Sequence, residues 1–190
     1  MDINPSLNDT RRAFGILFLA VSTAIGLGSI LTEIAFTRRL PNFSYLVIWI
    51  ASFGVTFAVL FAKFRRSISF IRNRVKNSVK WPTSAKAMNG LCWAGPFIAI
   101  PVFIHLYQFL ILLGIGLGNI STYLLMRKYN KVDNREQMIV GLISLFAIPV
   151  AIGIDSIIFS TRQDIAVMTS RILISVAYGA GGIYAITSKA

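Results

Sequence analysis

Four ionisable side chains interrupt stretches of the sequence that are otherwise apolar. They are Glu33, His105, Asp155 and Arg171. A charge inside a membrane-length apolar segment is costly, so such a residue points to a function or to a paired partner. Glu33, His105 and Asp155 are therefore a candidate polar site for a proton, a cation or a small solute.

Simpler roles are also open to these residues. Asp155 and Arg171 lie at similar distances on either side of the short segment "STRQD", which predicts a structural ion pair between adjacent antiparallel helices. Glu33 has arginines at 38 and 39 that can neutralise it. His105 alone is typical of a histidine at a membrane interface.

Residue sets for catalysis or metal binding are missing from the sequence. There is no H-E-x-x-H, no G-x-S-x-G, no phosphate-binding glycine loop and no pair of carboxylates suited to one helix face. Cys92 and His105 are the only cysteine and histidine, too few for a His/Cys metal cluster or a bis-histidine haem. We expect no enzymatic activity and no cofactor.

The composition indicates a polytopic integral membrane protein. Hydrophobic residues make up 55% of the 190 residues and charged residues only 14%, whereas a soluble domain carries about a quarter charged residues. The net charge is +12, but in a membrane protein a basic excess usually belongs to cytoplasmic loops. We expect the lipid bilayer as the main partner and no nucleic acid.

The apolar runs predict an all-α bundle of six transmembrane helices in one domain, 1–190. The run 89–126 is 38 residues without a charge, about 57 Å as one helix, and is therefore divided near "HLYQ" at 105–108. The first run is longer than a signal-peptide core and is taken as a retained span. The predicted spans are 13–36, 44–62, 89–106, 108–126, 138–159 and 165–188.

The basic residues predict the orientation of these spans. With the N-terminus inside, 15 of the 19 lysines and arginines lie on inner segments. This asymmetry matches the positive-inside rule. We expect a cell-membrane protein with both termini in the cytoplasm.

The segment "KFRRSISFIRNRVKNSVKW" at 63–81 holds seven basic residues and no acid. Its apolar residues fall on one face at helical spacing, which predicts a cytoplasmic amphipathic helix lying among anionic lipid headgroups. A loop that only fixes the topology and a site for partner docking remain alternatives. The candidate headgroup ligands are Arg65, Arg66, Arg72, Lys76 and Lys80.

Small residues recur every four positions in the first, fourth and sixth spans, a pattern typical of close helix packing within a bundle or against a partner. The candidate packing positions are Gly28, Gly114, Gly118 and Gly181. The stretches 25–39 and 115–128 also share Ile, Gly, Leu, Gly, Ile and Thr at a constant offset of 90. The match is a candidate inverted repeat, as found in many transporters.

Three functions follow from these patterns. The favoured one is a non-catalytic accessory or structural subunit of a membrane complex, with a membrane-protein partner or a second copy of the chain. The alternative is a small transporter or channel with its polar site near the outer face. The third is a membrane scaffold that interacts with anionic lipids.

Overall fold

A computed structural model describes residues 7–65, 69, 71, 80–158 and 163–188. Within these residues the chain is all-helical, with six α-helices. Five of the helices are long and apolar enough to cross a membrane. The helices are α1 (Leu7–Thr37), α2 (Phe43–Lys63), α3 (Thr83–Ala99), α4 (Tyr107–Asn130), α5 (Arg135–Gly153) and α6 (Gln163–Thr187).

The helices alternate in direction, and a core of four of them carries two edge helices. α1 packs most extensively against α6, which also packs against α5, and α5 packs against α4. α2 lies on α1 and α3 lies on α4, at opposite edges of the bundle. The buried hydrophobic cluster is built from the four core helices, with Leu112, Val140 and Ala177 fully enclosed.

Helix α3 differs from the third predicted span, which was placed at 89–106. It covers Thr83–Ala99, about 26 Å, which is less than the roughly 30 Å of a hydrocarbon core. Pro101 follows directly and has no amide hydrogen to continue the helical bonding. The chain then turns through residues 100–106, next to the position predicted for the turn, and a 3-10 turn at Ile104–Leu106 leads into α4.

The packing of α1 on α6 rests on close backbone approach and paired hydroxyls. The Ser22 hydroxyl donates a hydrogen bond to the Ser175 carbonyl at 2.7 Å, and the Ser175 hydroxyl donates to the Ser22 carbonyl at 2.7 Å. About two turns from Ser22 toward the start of α1, a Cβ on Gly15 would stand 2.9 Å from the Gly182 carbonyl oxygen. Such contacts replace the hydrophobic drive that helices lack inside a bilayer.

Helix α5 ends in a π-helical turn, Ile154–Ile158, which contains Asp155. Pro149 lies in the preceding helix and removes one backbone hydrogen bond there. Single π-helical turns within α-helices are frequent at functional sites. The turn therefore marks the end of the bundle where the polar residues of the sequence were predicted.

Candidate functional site

A cleft of about 510 Å³ opens where the C-terminal end of α1 meets the N-terminal ends of α2, α4 and α6. We call it the Arg171 pocket. Its walls combine one guanidinium, two carboxylates and several aromatic rings. The lining residues are Thr32, Glu33, Phe36, Tyr45, Trp49, Tyr107, Asp164, Val167 and Arg171.

Arg171 is the positively charged residue of this pocket and lies next to two aromatic side chains. Its guanidinium lies over the Trp49 ring, 5.6 Å from the ring centroid. The Tyr107 hydroxyl lies near enough to feel its charge. A cation on the face of a tryptophan is attracted to the ring quadrupole, so the Trp49 ring helps to orient Arg171.

The predicted Asp155–Arg171 ion pair does not form in the described part of the chain. The two ion pairs within 4 Å there are Arg11–Glu136 and Arg135–Asp133. The reason is helix register: Gly181 packs against Val140 and the Glu136 carbonyl, which places Arg171 one to two turns deeper than Asp155. Both residues instead lie near enough to Tyr107 for their charges to act on its hydroxyl.

The three residues of the predicted polar site are only partly brought together. Glu33 lines the Arg171 pocket, and Asp155 lies near it in the π-helical turn. His105 is exposed in the 3-10 turn before α4 and does not line the pocket. Glu33 has contacts of its own within the chain. It lines the Arg171 pocket together with residues that were not predicted from the sequence.

Asp164, Tyr107 and the aromatic wall were missed because they lie where apolar spans meet turns. Asp164 was counted as part of a short polar turn, yet it begins α6 and faces the pocket. Trp49 and Tyr45 were treated as ordinary span residues. Their spacing of four on α2 was the available signal, because residues i and i+4 share one helix face.

The chemistry of the pocket suits an amine. Among the described residues, no group of three or more His, Cys, Asp or Glu side chains is placed to hold a metal ion. Carboxylates and aromatic faces together recognise ammonium groups. The guanidinium of Arg171 can donate hydrogen bonds to a carboxylate of the same solute. The pocket volume lies in the range of small-molecule sites.

The opposite end of the bundle holds a second charged group, which we call the Glu136 cluster: Arg11, Glu136 and Tyr184. Glu136 is almost fully buried, and its carboxylate lies 3.5 Å from Arg11 Nε. The Arg11 guanidinium also lies over the Tyr184 ring at 4.8 Å. Sequence analysis missed this cluster because both charges lie just outside the apolar runs and resemble loop residues.

A half-exposed network borders the Glu136 cluster in the connection between α4 and α5. Arg135 Nε donates to Asp133 Oδ2 at 2.7 Å, and the Tyr123 hydroxyl donates to Asp133 Oδ1 at 3.2 Å. Burial acts to raise the pKa of Asp133, but the hydrogen bond and charge of Arg135, with smaller effects from Tyr123 and Arg127, outweigh it and lower the pKa. These contacts favour the charged form of Asp133.

The four predicted packing glycines all lie under side chains of neighbouring helices. A Cβ on Gly28 would meet the Trp49 ring, on Gly114 the Phe97 ring, and on Gly118 the Trp93 ring, at 2.3–2.8 Å. Three of these glycines thus make room for aromatic rings rather than for a facing backbone. Gly28 and Gly118, which correspond in the candidate repeat, each accept an indole. The fourth, Gly181, faces the Glu136 carbonyl oxygen, and further backbone contacts occur at Gly116 and Gly141, which were not predicted.

The predicted amphipathic segment 63–81 lies mostly outside the described residues. Arg65 and Lys80 are described and exposed. Arg66, Arg72 and Lys76 lie outside the described residues, so their contact with lipid headgroups stays a prediction. Arg65 follows directly on the end of α2.

No protein-family model, curated protein or solved structure matches this chain. The class of the protein therefore rests on its own fold and site. It is an all-helical bundle in which five helices are long and apolar enough to cross a membrane, with an open polar pocket at one end and a buried ion pair at the other.

Proposed function

We propose that the chain is an integral membrane protein that binds a small amine-bearing solute in the Arg171 pocket and carries it across the membrane. The Arg171 pocket is the observation that supports this function. Its lining combines Arg171 with the carboxylates of Glu33 and Asp164 and with several aromatic rings. A solute with an ammonium and a carboxylate group complements both charges.

The asymmetry of the two ends supports transport rather than a through-channel. The Arg171 pocket opens at one end of the bundle, while the other end holds the Arg11–Glu136 pair, in which Glu136 is almost fully buried, and the Tyr184 ring. A carrier needs a site that opens to one side at a time. In this proposal the described conformation has its site open on the side of the Arg171 pocket.

The positive-inside asymmetry and the helix count support a placement in the cell membrane with both termini in the cytoplasm. The start of α1 and the end of α6 lie at the same end of the bundle, where Arg11 contacts Tyr184. The Arg171 pocket then faces the outside. This orientation would make the proposed carrier outward-open.

The first experiment measures binding and flux separately. Replacing Trp81 and Trp93 with phenylalanine leaves Trp49 as the only indole, so its fluorescence reports solute in the pocket. The purified chain is titrated with amino acids, organic cations and organic anions, and then reconstituted in liposomes for uptake of the same labelled solutes. We expect saturable binding and uptake of an amine-bearing solute, at least tenfold weaker in Glu33→Gln.

The matched control is Asp133→Asn, which removes a carboxylate at the opposite end of the bundle. It should leave both binding and uptake unchanged. If no solute in the panel alters Trp49 fluorescence and none is taken up, the proposal is wrong. Binding without uptake would assign the pocket to sensing or to a subunit role instead.

A second candidate function is the accessory subunit of a membrane complex. It is favoured by the edge helices, since α2 packs against α1 and leaves a broad apolar face with Leu46 and Ile50 more than 60% exposed. In a complex, a membrane-protein partner or a second copy would cover this face. A stoichiometric partner in the intact detergent-purified particle, lost in Ile50→Trp and kept in Leu91→Trp on α3, would support this function.

A further inference from the structure

A second cleft, of about 580 Å³, runs between α1 and α2 in the half of the bundle that lies away from the Arg171 pocket. We call it the α1–α2 groove. Its walls are almost entirely apolar, with Leu19 and Leu27 on α1 and Val59 and Leu60 on α2. Arg12 is the one charged residue in the lining and stands at one end of the groove.

The packing of α1 against α2 indicates which part of α2 lies beside Arg12. Gly28 on α1 lies against Trp49 on α2, and counting along the antiparallel helices from this pair places Arg12 beside residue 65. Lys63 and Arg65 at the end of α2 are exposed. Lys63 and Arg65 flank Phe64, which lines the groove, so two further cations lie close to the Arg12 end.

The dimensions of the groove fit a single hydrocarbon chain. From Arg12 to Leu27 it extends about 22 Å along α1, roughly one leaflet of the hydrocarbon core with its interface. This length matches one acyl chain that lies along the groove with its polar end at Arg12.

The walls of the groove offer little to a polar occupant. Thr23, which faces it, already donates its hydroxyl to the Leu19 carbonyl of its own helix at 2.9 Å. An occupant must therefore be apolar along the groove and anionic at the Arg12 end. We propose that the α1–α2 groove binds one acyl chain of an anionic phospholipid, whose headgroup phosphate is held by Arg12 and Arg65.

This proposal rests on the membrane placement of the proposed function and does not depend on solute binding in the Arg171 pocket. The experiment is native mass spectrometry of the full-length chain in mild detergent, with added phosphatidylglycerol or phosphatidylcholine carrying the same acyl chains. We expect phosphatidylglycerol to be retained more tightly. Each basic residue near such a headgroup contributes about a fivefold preference.

Two kinds of variant test the contribution of the headgroup and the contribution of the acyl chain to lipid retention separately. Arg12→Gln should weaken retention of phosphatidylglycerol about fivefold and leave phosphatidylcholine unchanged, and adding Arg65→Gln should weaken phosphatidylglycerol about 25-fold in total. Thr56→Phe fills the groove and should weaken both lipids at least tenfold. Unchanged retention of phosphatidylcholine by the arginine variants shows that they are folded.

The controls lie outside the groove. Arg38→Gln removes a cation at the other end of α1, and Leu91→Phe adds a ring to the exposed face of α3; neither should alter retention. Equal retention of the two lipids, or a preference that survives Arg12→Gln, would overturn the proposal. So would a dimer whose formation excludes lipid. Failure of solute uptake leaves these results intact, and a Glu33→Gln chain should retain lipid normally.

Discussion

The two ends of the bundle use the same residue types for opposite purposes. At one end Arg11 and Glu136 are buried against each other beneath Tyr184. At the other end Arg171 lies beside Trp49 in an open cleft that Glu33 and Asp164 also line. The first group of charges is enclosed by protein, whereas the second lines a cavity that a solute can enter.

The difference arises from helix register rather than from composition. Arg11 and Glu136 each lie near the start of a helix, and the packing of α5 and α1 around α6 brings these ends to one level. Asp155 and Arg171 are on adjacent helices too, but they lie at different depths. Arg171 lies over the Trp49 ring instead.

The largest effect is expected from breaking the enclosed pair. Glu136→Gln leaves Arg11 without its carboxylate in a buried site, so the free energy of unfolding should fall by about 3–5 kcal/mol. Glu33→Gln, in the open pocket, should change it by less than about 1 kcal/mol. Denaturant unfolding of the detergent-purified chain, followed by helical circular dichroism, measures both.

The double variant Arg11→Met/Glu136→Leu sharpens this test. Replacing both charges with apolar side chains removes the uncompensated charge, and it should recover most of the stability lost in Glu136→Gln. Equal losses for Glu136→Gln and Glu33→Gln would contradict the distinction between a closed end and an open end.

The next effect comes from Gly181, which lies beside the Glu136 cluster. A Cβ at this position would stand 2.5 Å from Val140 Cγ2 and 2.9 Å from the Glu136 carbonyl oxygen. The backbone oxygen cannot yield without moving α5, so Gly181→Ala should destabilise the chain by about 1–3 kcal/mol. Gly54 has open space around it, and Gly54→Ala should be neutral or slightly stabilising in the same unfolding measurement.

Much of the fold could be predicted from the sequence because apolar length is a strong signal. Helical segments and the division of 89–126 follow from the need of each span to satisfy its own backbone hydrogen bonds. The limits of α3 did not follow, since the sequence does not say how far the residues on either side of Pro96 and Pro101 remain helical. The predicted length of 18 residues was close to the observed 17, but the helix begins six residues earlier in the sequence than predicted.

The candidate site could be predicted only in part. Glu33 was recognisable because an isolated carboxylate stands out in an apolar run. Its neighbours Asp164 and Tyr107 come from other helices, and their proximity depends on register and rotation, which the sequence pattern leaves open. Arg11 and Glu136 were hidden for the same reason, since each resembles an ordinary loop charge until the helix ends are assembled.

A moderate effect is expected inside the Arg171 pocket. Tyr107→Phe removes the hydroxyl on which the charge of Arg171 acts and leaves the ring in place. The free energy of unfolding should fall by only about 1 kcal/mol, while the emission of Trp49 as sole indole should shift because the guanidinium above it is less restrained. Tyr45→Phe, on the same pocket wall, is the matched control and should leave the emission unchanged.

The smallest effect concerns Asp133, outside the spans. The pKa of Asp133 is lower in the folded chain than in the unfolded chain. As the pH falls, the unfolded chain therefore takes up the proton first. The stabilisation by Asp133 is present above its unfolded pKa and is lost as the pH falls through its folded pKa. Asp133 is about half exposed, so Asp133→Asn should destabilise the chain by no more than about 0.5 kcal/mol near pH 6. This difference from the wild type should narrow toward pH 3. The opposite result, a difference in the free energy of unfolding that widens on acidification, would contradict this. It would mean that the contacts with Arg135 and Tyr123 do not favour the charged carboxylate. The connection between α4 and α5 would then stabilise this end of the bundle in another way.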